Sequence, residues 1–251
     1  MASIPRSFVF VILLTLCFAL PIASATTCTN SSLNGVYGWL ATGLNGSLVP
    51  AASLTQATFN GAGSVTGSTT KSKDGTILTY TFTGTYSIAS NCTGILSVTN
   101  ETGQLESTNF VLNNLNKGAF GIQTVSNHVQ TAVAASQGTA TCTDKGVKHT
   151  YSVELTGTDL AIGQIGAVGQ FVLNGTGSIS GTLTLSLYGT IVYDASVTGT
   201  YTINSNCTGT AQITPQGVST INLSLVVLST DKEIMAIETD ANTVISGILL
   251  E

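Results

Sequence analysis

The chain has 251 residues and a net charge of −5, and only 8% of its residues are charged. Lysine and arginine together number seven, too few for the basic clusters that bind nucleic acid or an anionic membrane surface. Hydrophobic residues make up 43% of the chain, which excludes a disordered protein.

The first 25 residues have the pattern of an export signal. Arg6 supplies a positive charge, an apolar run extends from Phe8 to Leu20, and Ala23-Ser24-Ala25 is a small-residue cleavage site. A membrane-spanning helix needs about 18 apolar residues, and this run is shorter. Removal of the signal at about Ala25 leaves six lysines and twelve acidic residues, a net charge of −6. We therefore expect a secreted protein, extracellular or periplasmic, with no membrane span.

The rest of the chain repeats itself at an offset of 114 or 115 residues. GTYSIASNCTG at Gly84 returns as GTYTINSNCTG at Gly199, and NGAGSVTG at Asn60 returns as NGTGSISG at Asn174. One single-residue length change between residues 67 and 84 reconciles the two offsets. We therefore predict two domains, residues 26–135 and 136–251, each near the usual size for one hydrophobic core.

Four cysteines follow the export signal, and four cysteines allow three pairings. Only pairing within each repeat, Cys28 with Cys92 and Cys142 with Cys207, gives both copies the same local structure. An exported protein is free to form such disulfides. Because no Cys-x-x-Cys spacing is present, we do not expect these thiols to bind a metal. No other motif indicates a cofactor, and we expect none.

Alternation of apolar and hydroxyl side chains, as in residues 78–88 and 193–203, predicts long half-buried antiparallel strands. In the first copy the predicted strands cover residues 34–43, 52–60, 63–70, 76–89, 94–99, 106–113, 118–125 and 129–135. Their short links favour a meander, and eight meandering strands with one apolar face favour a closed barrel. We predict an all-β fold of two tandem antiparallel, eight-stranded up-and-down barrels.

Immunoglobulin-like sandwiches are the alternative fold. Cys28, Trp39 and Cys92 have roughly the cysteine–tryptophan–cysteine spacing of that fold. However, the second copy has Val153 in place of Trp39. In addition, Tyr86 lies six residues before Cys92, whereas a tyrosine corner requires two. Both observations favour the barrel.

The segment GTYSIASNCTG, and IETDANTVISG beginning at Ile237, resemble a repeat found in secreted bacterial proteins of uncharacterised function. Those proteins share a GTY-x-V-x-x-x-CTG core and a TD-x-x-T-V-x-SG end. The end motif is intact only in the second copy, since the first has QTVSNHV from Gln123. The resemblance implies a calycin-like or allene-oxide-cyclase-like barrel and no established activity.

Candidate catalytic groups are few. His128 and His149 lack counterparts in the other copy, and we expect both at the surface. Glu154 and Asp194 fall on the polar side of the alternation and are predicted to face outward. The densest acidic cluster is expected to be a solvated hairpin end, with a weak calcium site as the alternative. This cluster consists of Asp231, Glu233, Glu238 and Asp240. We assign no catalytic residue and no metal ligand.

Inward aromatic side chains are the candidate ligand site, because barrel mouths commonly hold small apolar ligands. The predicted ligand-binding residues are Tyr37, Trp39, Tyr80, Phe82 and Tyr86. The same inward set includes Phe59 and Phe120 in the first copy, and Tyr151, Phe171, Tyr193 and Tyr201 in the second. Alternatively these side chains fill the core, as in many small barrels, an interpretation that we favour for the Leu-, Ile- and Val-rich second copy.

Three functions fit these observations. The first is a non-catalytic secreted protein that binds a small apolar ligand in a barrel lumen. The second is a structural or adhesive protein of the cell exterior. The third is an enzyme of the cyclase-barrel kind, in which a tyrosine and one inward carboxylate would act in a shaped pocket. The alternation itself identifies no inward acid.

Overall fold

The structure, a computed structural model, describes residues 27–113, 117–138, 141–228 and 232–251. The predicted export signal, residues 1–25, lies outside the described residues. A short 3-10 helix, Asn30–Ser32, precedes the first strand. The strands are β1 Asn34–Asn45, β2 Val49–Asn60, β3 Ser64–Lys73, β4 Thr76–Ile88, β5 Thr93–Thr99, β6 Leu105–Asn113, β7 Gly118–Gln123, β8 Val129–Ser136, β9 Thr150–Asp159, β10 Gly163–Leu173, β11 Ser178–Leu187, β12 Thr190–Ile203, β13 Thr208–Pro215, β14 Ile221–Leu228, β15 Glu233–Glu238 and β16 Thr243–Leu250. None of the helices formed by these residues is long and apolar enough to cross a membrane.

The strands form two closed antiparallel barrels in tandem, β1 to β8 and β9 to β16. Each strand pairs with its neighbours in the sequence, and the first strand of each barrel pairs with the last. Trp39 thus lies opposite Ala134, and Val153 lies opposite Leu249. Closure pairs the strand edges that these lysine-poor sequences have little means to protect. The predicted fold is confirmed, and the sandwich alternative is wrong.

Both predicted disulfides are present. Cys28 bonds to Cys92 and Cys142 to Cys207, each with a Cα–Cα distance of 4.9 Å. In each barrel the disulfide ties the segment before the first strand to the turn between the fourth and fifth strands. Such bonds persist in oxidising compartments, so the structure indicates an oxidising environment.

Aromatic side chains and the 3-10 helix close one end of the first barrel, which we call its floor. Phe59 contacts Tyr37 and Tyr86 edge to face, with ring centroids 5.5 and 5.1 Å apart. The Tyr86 hydroxyl donates to the carbonyl oxygens of Asn30 and Leu33 at 3.0 and 2.8 Å. We call the opposite end, where the β1–β2, β3–β4, β5–β6 and β7–β8 turns lie, the mouth.

Two aromatic residues predicted to face inward are exposed instead. Tyr193 is 74% exposed because the β11–β12 register shifts between Leu183 and Leu185, which reverses the alternation before Ala195. Phe120 is 56% exposed, because β7 turns its small residues inward. One of these is Gly121, where a β-carbon would lie 2.9 Å from the Trp39 ring. The predicted inward orientation of Tyr193 and Phe120 is therefore wrong.

The barrels pack against each other through an apolar cluster on their outer faces. The first barrel contributes Leu40, Ala52 and Leu54, and the second contributes Val226, Leu228, Met235, Ile237 and Val244. Gln56 Nε2 donates to the carbonyl oxygen of Asn206 at 2.5 Å. Ser72 Oγ donates to the carbonyl oxygen of Thr243 at 2.5 Å. The strand that ends the first barrel reaches Ser136, one residue beyond the predicted boundary of the first domain.

Candidate functional site

An internal cavity of about 100 Å³ lies in the first barrel. Trp39, Phe82, Leu96 and Val98 form much of its apolar wall. Of the five predicted ligand-binding residues, Trp39, Tyr80 and Phe82 line the cavity. The other two, Tyr37 and Tyr86, pack with Phe59 in the floor. The structure therefore brings three of the predicted residues together around one space, and their binding role stays a prediction.

A buried ion pair closes part of the mouth. Lys71 points inward from β3, and its Nζ lies 3.3 Å from the carboxylate of Glu101 in the β5–β6 turn. The Lys71 side chain is only 4% exposed and that of Glu101 17%. Burial raises the pKa of Glu101, but a backbone hydrogen bond and the Lys71 charge outweigh it, so the pKa lies below its usual value. The two charges compensate each other, because a buried charge without a partner would destabilise the fold.

Tyr80 connects this ion pair to the cavity. Its side chain lines the cavity and hydrogen-bonds to the side chains of Glu101 and Thr69. Burial, together with the negative charges of Glu101 and Glu106, raises the pKa of Tyr80 well above its usual value. The phenol therefore stays protonated at neutral pH and donates its hydrogen bond to the Glu101 carboxylate.

A second carboxylate, Glu106 on β6, also lines the cavity. It accepts hydrogen bonds from Asn100 Nδ2 at 3.0 Å and from Gln123 Nε2 at 2.8 Å. The Gln123 oxygen lies 2.7 Å from His128 Nδ1. Burial, with Lys71 and Lys73, lowers the pKa of His128 in spite of Glu106. Because an amide oxygen can only accept a hydrogen bond, Nδ1 of His128 donates to Gln123. His128, predicted at the surface, is half-buried in this network.

Gln130 provides a hydrogen-bond donor with no partner. It points inward from β8, is 7% exposed and lines the cavity. Within the described residues its Nε2 is one of two buried side-chain atoms without a hydrogen bond, the other being Asn45 Nδ2. Buried polar groups are normally paired. The Gln130 amide is therefore placed to donate to a molecule inside the cavity.

The polar lining belongs to the first barrel alone. At the repeat offset Lys71 corresponds to Leu185, and Gln130 to Ile245. The further correspondences are Trp39 with Val153, Tyr80 with Ala195, Glu106 with Ile221 and Thr108 with Leu223. In the second barrel Val153, Ala195, Leu185, Leu223 and Ile245 belong to the packed hydrophobic core. The two barrels thus share one fold, but the first has a partly polar cavity and the second has a packed hydrophobic core.

Glu238 corrects one prediction for the acidic cluster. It follows the alternation of Ile234 and Ala236 into the second barrel and is 5% exposed, so it is not part of a solvated hairpin end. Burial, together with the negative charges of Asp240 and Asp159, raises its pKa to about 7 against a hydrogen bond from Thr243. Glu154 and Asp194 are exposed, as predicted.

The calcium alternative has no support in the structure. Asp240 accepts hydrogen bonds from Asn222 N and Nδ2 at 2.7 and 2.6 Å. Asp231 lies outside the described residues. No group of three His, Cys, Asp or Glu side chains in the described part of the chain has the geometry to hold a metal ion.

Comparison with known proteins adds little to this site. No protein-family model matches the chain, and no curated protein does. Kievitone hydratase from Nectria haematococca matches with 7% sequence identity and a TM-score of 0.31. That match covers 92% of this chain and 93% of the hydratase. A likeness at this score says nothing about what the present chain binds or does.

Proposed function

We propose that the protein is a secreted binding protein whose first barrel holds a small ligand with an apolar body and one hydrogen-bond-accepting group. The observation that carries this proposal is the unpaired Gln130 amide inside a cavity walled by Trp39 and Phe82. A carbonyl or ether oxygen on the ligand would accept from Gln130 while the remainder contacts the aromatic wall. The second barrel, filled by its own side chains, serves as a supporting domain.

The cavity limits the size of the ligand. Its volume is about 100 Å³, whereas a dry cavity of roughly 150 Å³ binds benzene. Drug-sized ligands occupy pockets of about 300–1,000 Å³. By this comparison the cavity encloses about four non-hydrogen atoms, so the ligand is a very small molecule, or one end of a larger molecule such as a six-membered ring whose remainder extends into the mouth.

Secretion is supported by two independent features. The first 25 residues have the pattern of an export signal. The two disulfides fit an oxidising compartment. A binding site on an exported protein would act on molecules outside the cytoplasm.

Isothermal titration with two matched probes tests the proposal. Cyclohexanone carries one acceptor oxygen, and methylenecyclohexane has the same shape without it. We expect the wild-type protein to bind cyclohexanone about tenfold more tightly, the value of about one hydrogen bond. Gln130→Ile, which copies Ile245 of the second barrel, should abolish this preference. Gln164→Ile, at an exposed position of the second barrel, is the control and should keep it.

The outcomes separate the parts of the proposal. If neither probe binds the wild-type protein, the proposed cavity site is wrong. If both probes bind but Gln130→Ile leaves their ratio unchanged, the cavity binds ligands without the Gln130 hydrogen bond, and the proposed acceptor group is wrong.

A second candidate function, proton transfer on the bound ligand, is favoured by the inward carboxylate that the sequence did not reveal. Glu106 and the unpaired Gln130 Nε2 line the same cavity. In such a reaction Glu106 removes a proton from the carbon beside a carbonyl group, and the Gln130 amide donates a hydrogen bond to the oxygen of the resulting enolate. Return of a proton from Glu106 to the carbon restores the ketone.

Deuterium exchange tests this second function. In heavy water the Glu106 carboxyl group exchanges its proton, so each reversal leaves deuterium on the carbon beside the carbonyl of cyclohexanone. The wild-type protein should accelerate this exchange, measured by mass spectrometry, and Glu106→Gln should abolish the acceleration. If the wild-type protein does not accelerate exchange above the rate in buffer alone, the proposed catalytic function is wrong. The proposed binding function is not affected by that result.

A further inference from the structure

The two barrels meet through two different outer surfaces. The first barrel uses the outer side of β1–β3, which we call face A, and the second uses the outer side of β14–β16, which we call face B. Because the domains repeat, each barrel carries a version of both faces. Face A of the second barrel is the outer side of β9–β11, and face B of the first barrel is the outer side of β6–β8. The contact between the barrels leaves most of both uncovered, and on face B of the first barrel it reaches only Val133 and Ala135 at the β8 edge.

Face B of the first barrel exposes the side chains that face B of the second barrel buries. Val111, Phe120, Ile122 and Val129 are 43%, 56%, 53% and 62% exposed. Their counterparts Val226, Met235, Ile237 and Val244 are each 5% exposed or less, since they pack against face A of the first barrel. A patch of this kind on a monomer commonly marks an interaction site.

The polar contacts of the interface also have counterparts on the two uncovered faces. Within the chain, Gln56 donates to Asn206, Ser72 donates to Thr243, and Asn242 N donates to Gly75 O at 2.9 Å. On face A of the second barrel the corresponding residues are Gln170, Ser186 and Gly189. In the turns beside face B of the first barrel they are Asn91, in the β4–β5 turn, and His128 and Asn127, in the β7–β8 turn. Five of these six are the same residue type, and the sixth, His128, takes part through its backbone carbonyl group.

The backbone and the apolar centre agree with this correspondence. Asn127 and Asn242 both have a positive φ, 61° and 66°, so the turn that meets Gly75 is formed in both barrels. Val168 stands on face A of the second barrel where Leu54 stands in the first, and it is 58% exposed. The uncovered faces thus retain the hydrogen-bonding groups of the contact between the two barrels, and they retain apolar residues at its centre.

We propose that face B of the first barrel binds face A of the second barrel in another copy of this chain, so that the intermolecular contact reproduces the one between the two barrels. Such a contact joins two different surfaces, face B of one copy and face A of the next. However many copies are added, the assembly therefore still has one uncovered face A and one uncovered face B at its ends. Association is therefore head to tail, and it continues into a chain of molecules or closes into a ring.

The geometry of the first barrel allows both contacts at once. Face A is centred on β2 and face B on β7, which are three strand positions apart in the closed eight-stranded barrel. This separation is about 135° around the barrel. The first barrel can therefore hold the second barrel of its own chain on one side and a second copy on another.

Four differences make the intermolecular contact weaker than the intramolecular one. Leu40, Ala52 and Leu54 of face A are replaced by Glu154, Gly166 and Val168, and Leu228 of face B is replaced by Asn113. These changes remove apolar surface and add a carboxylate, so the apolar centre is smaller. We expect self-association with a dissociation constant in roughly the micromolar to millimolar range.

Sedimentation velocity on the full chain over a range of concentrations tests the proposal. The wild-type protein should show larger species as the concentration rises. Ile122→Glu on face B and Val168→Glu on face A should each weaken association at least tenfold. Tyr193→Glu is the control, because Tyr193 is 74% exposed and lies on β12, outside both faces. Thermal unfolding of each variant confirms that the fold is retained, as expected for substitutions of exposed side chains.

Mixing the two variants gives the sharpest result. Ile122→Glu keeps an intact face A, and Val168→Glu keeps an intact face B. An equimolar mixture should therefore form dimers that cannot extend further. A wild-type protein that stays monomeric at about 1 mM, the weak end of the expected range, would overturn the proposal. So would a mixture that forms no dimers, or a Val168→Glu variant that associates like the wild type.

Discussion

A β-carbon at Gly121 would lie 2.9 Å from Cζ2 of Trp39. The indole ring therefore occupies space that only glycine at position 121 leaves open. In the second barrel Trp39 is replaced by the smaller Val153, and Gly121 is replaced by the larger Ala236. The pair in the first barrel positions an aromatic wall beside the cavity, and the pair in the second barrel helps to fill a core.

This relationship predicts the effect of Gly121→Ala. The added methyl group should displace the Trp39 ring and change the shape of the cavity, so cyclohexanone should bind at least tenfold more weakly. Because Trp39 is the only tryptophan of the chain, its fluorescence emission should change as well. Gly166→Ala is the matched control, since a β-carbon there meets no atom within 4 Å. Equal behaviour of the two variants would contradict the assigned packing.

Removal of the Glu101 charge should destabilise the first barrel. Glu101→Gln leaves the Lys71 ammonium group buried without its partner, which costs about 3 kcal/mol in the free energy of unfolding. Adding Lys71→Leu, which copies Leu185, removes the stranded charge and should recover most of this loss. Urea unfolding of the single and double variants measures both effects.

An exposed ion pair provides the comparison. Lys232 and Glu251 lie 3.2 Å apart, and the Lys232 side chain is 66% exposed. Glu251→Gln should therefore cost less than about 1 kcal/mol. If Glu101→Gln costs no more than Glu251→Gln, the Lys71–Glu101 pair is not desolvated as described.

Glu238 should make stability depend on pH. Its pKa is about 7 in the folded protein and 4.5 without the fold, so the folded state binds more protons between these values. The free energy of unfolding should therefore fall as the pH rises from about 4.5 to about 7, by up to about 3 kcal/mol. Glu238→Gln, which copies Gln123, should flatten this part of the profile. Glu154→Gln at an exposed position should leave it intact, and a profile that is unchanged in Glu238→Gln would disprove the assignment.

Much of the fold follows from residue patterns that one sequence displays. The alternation around Tyr86 and Tyr201 locates long strands, and the repeated cysteines determine the pairing. The position of the bulge opposite Thr184 was not predictable. The two copies differ in length by one residue, and the extra residue could be placed at several points along the hairpin. Tyr193 was therefore assigned to the wrong side.

The polar half of the site was missed for a different reason. The sequence predicts that the third strand ends at residue 70, whereas the strand continues to Lys73, so the prediction leaves Lys71 outside the strand. Strand ends are the least certain part of such predictions, since they are set by tertiary contacts. A comparison of inward positions between the copies would have revealed the signal: Lys71 against Leu185 and Gln130 against Ile245.

A cavity-filling variant tests the central claim that the first barrel binds its ligand inside. Thr108 lines the cavity, and Thr108→Leu copies Leu223 of the packed second barrel. Trp39 fluorescence is titrated with cyclohexanone in both proteins, after circular dichroism has shown that each is folded. The wild type should give a saturable change, and the variant should give none at the same concentrations. An equal response from both proteins, or none from the wild type, would contradict binding in this cavity.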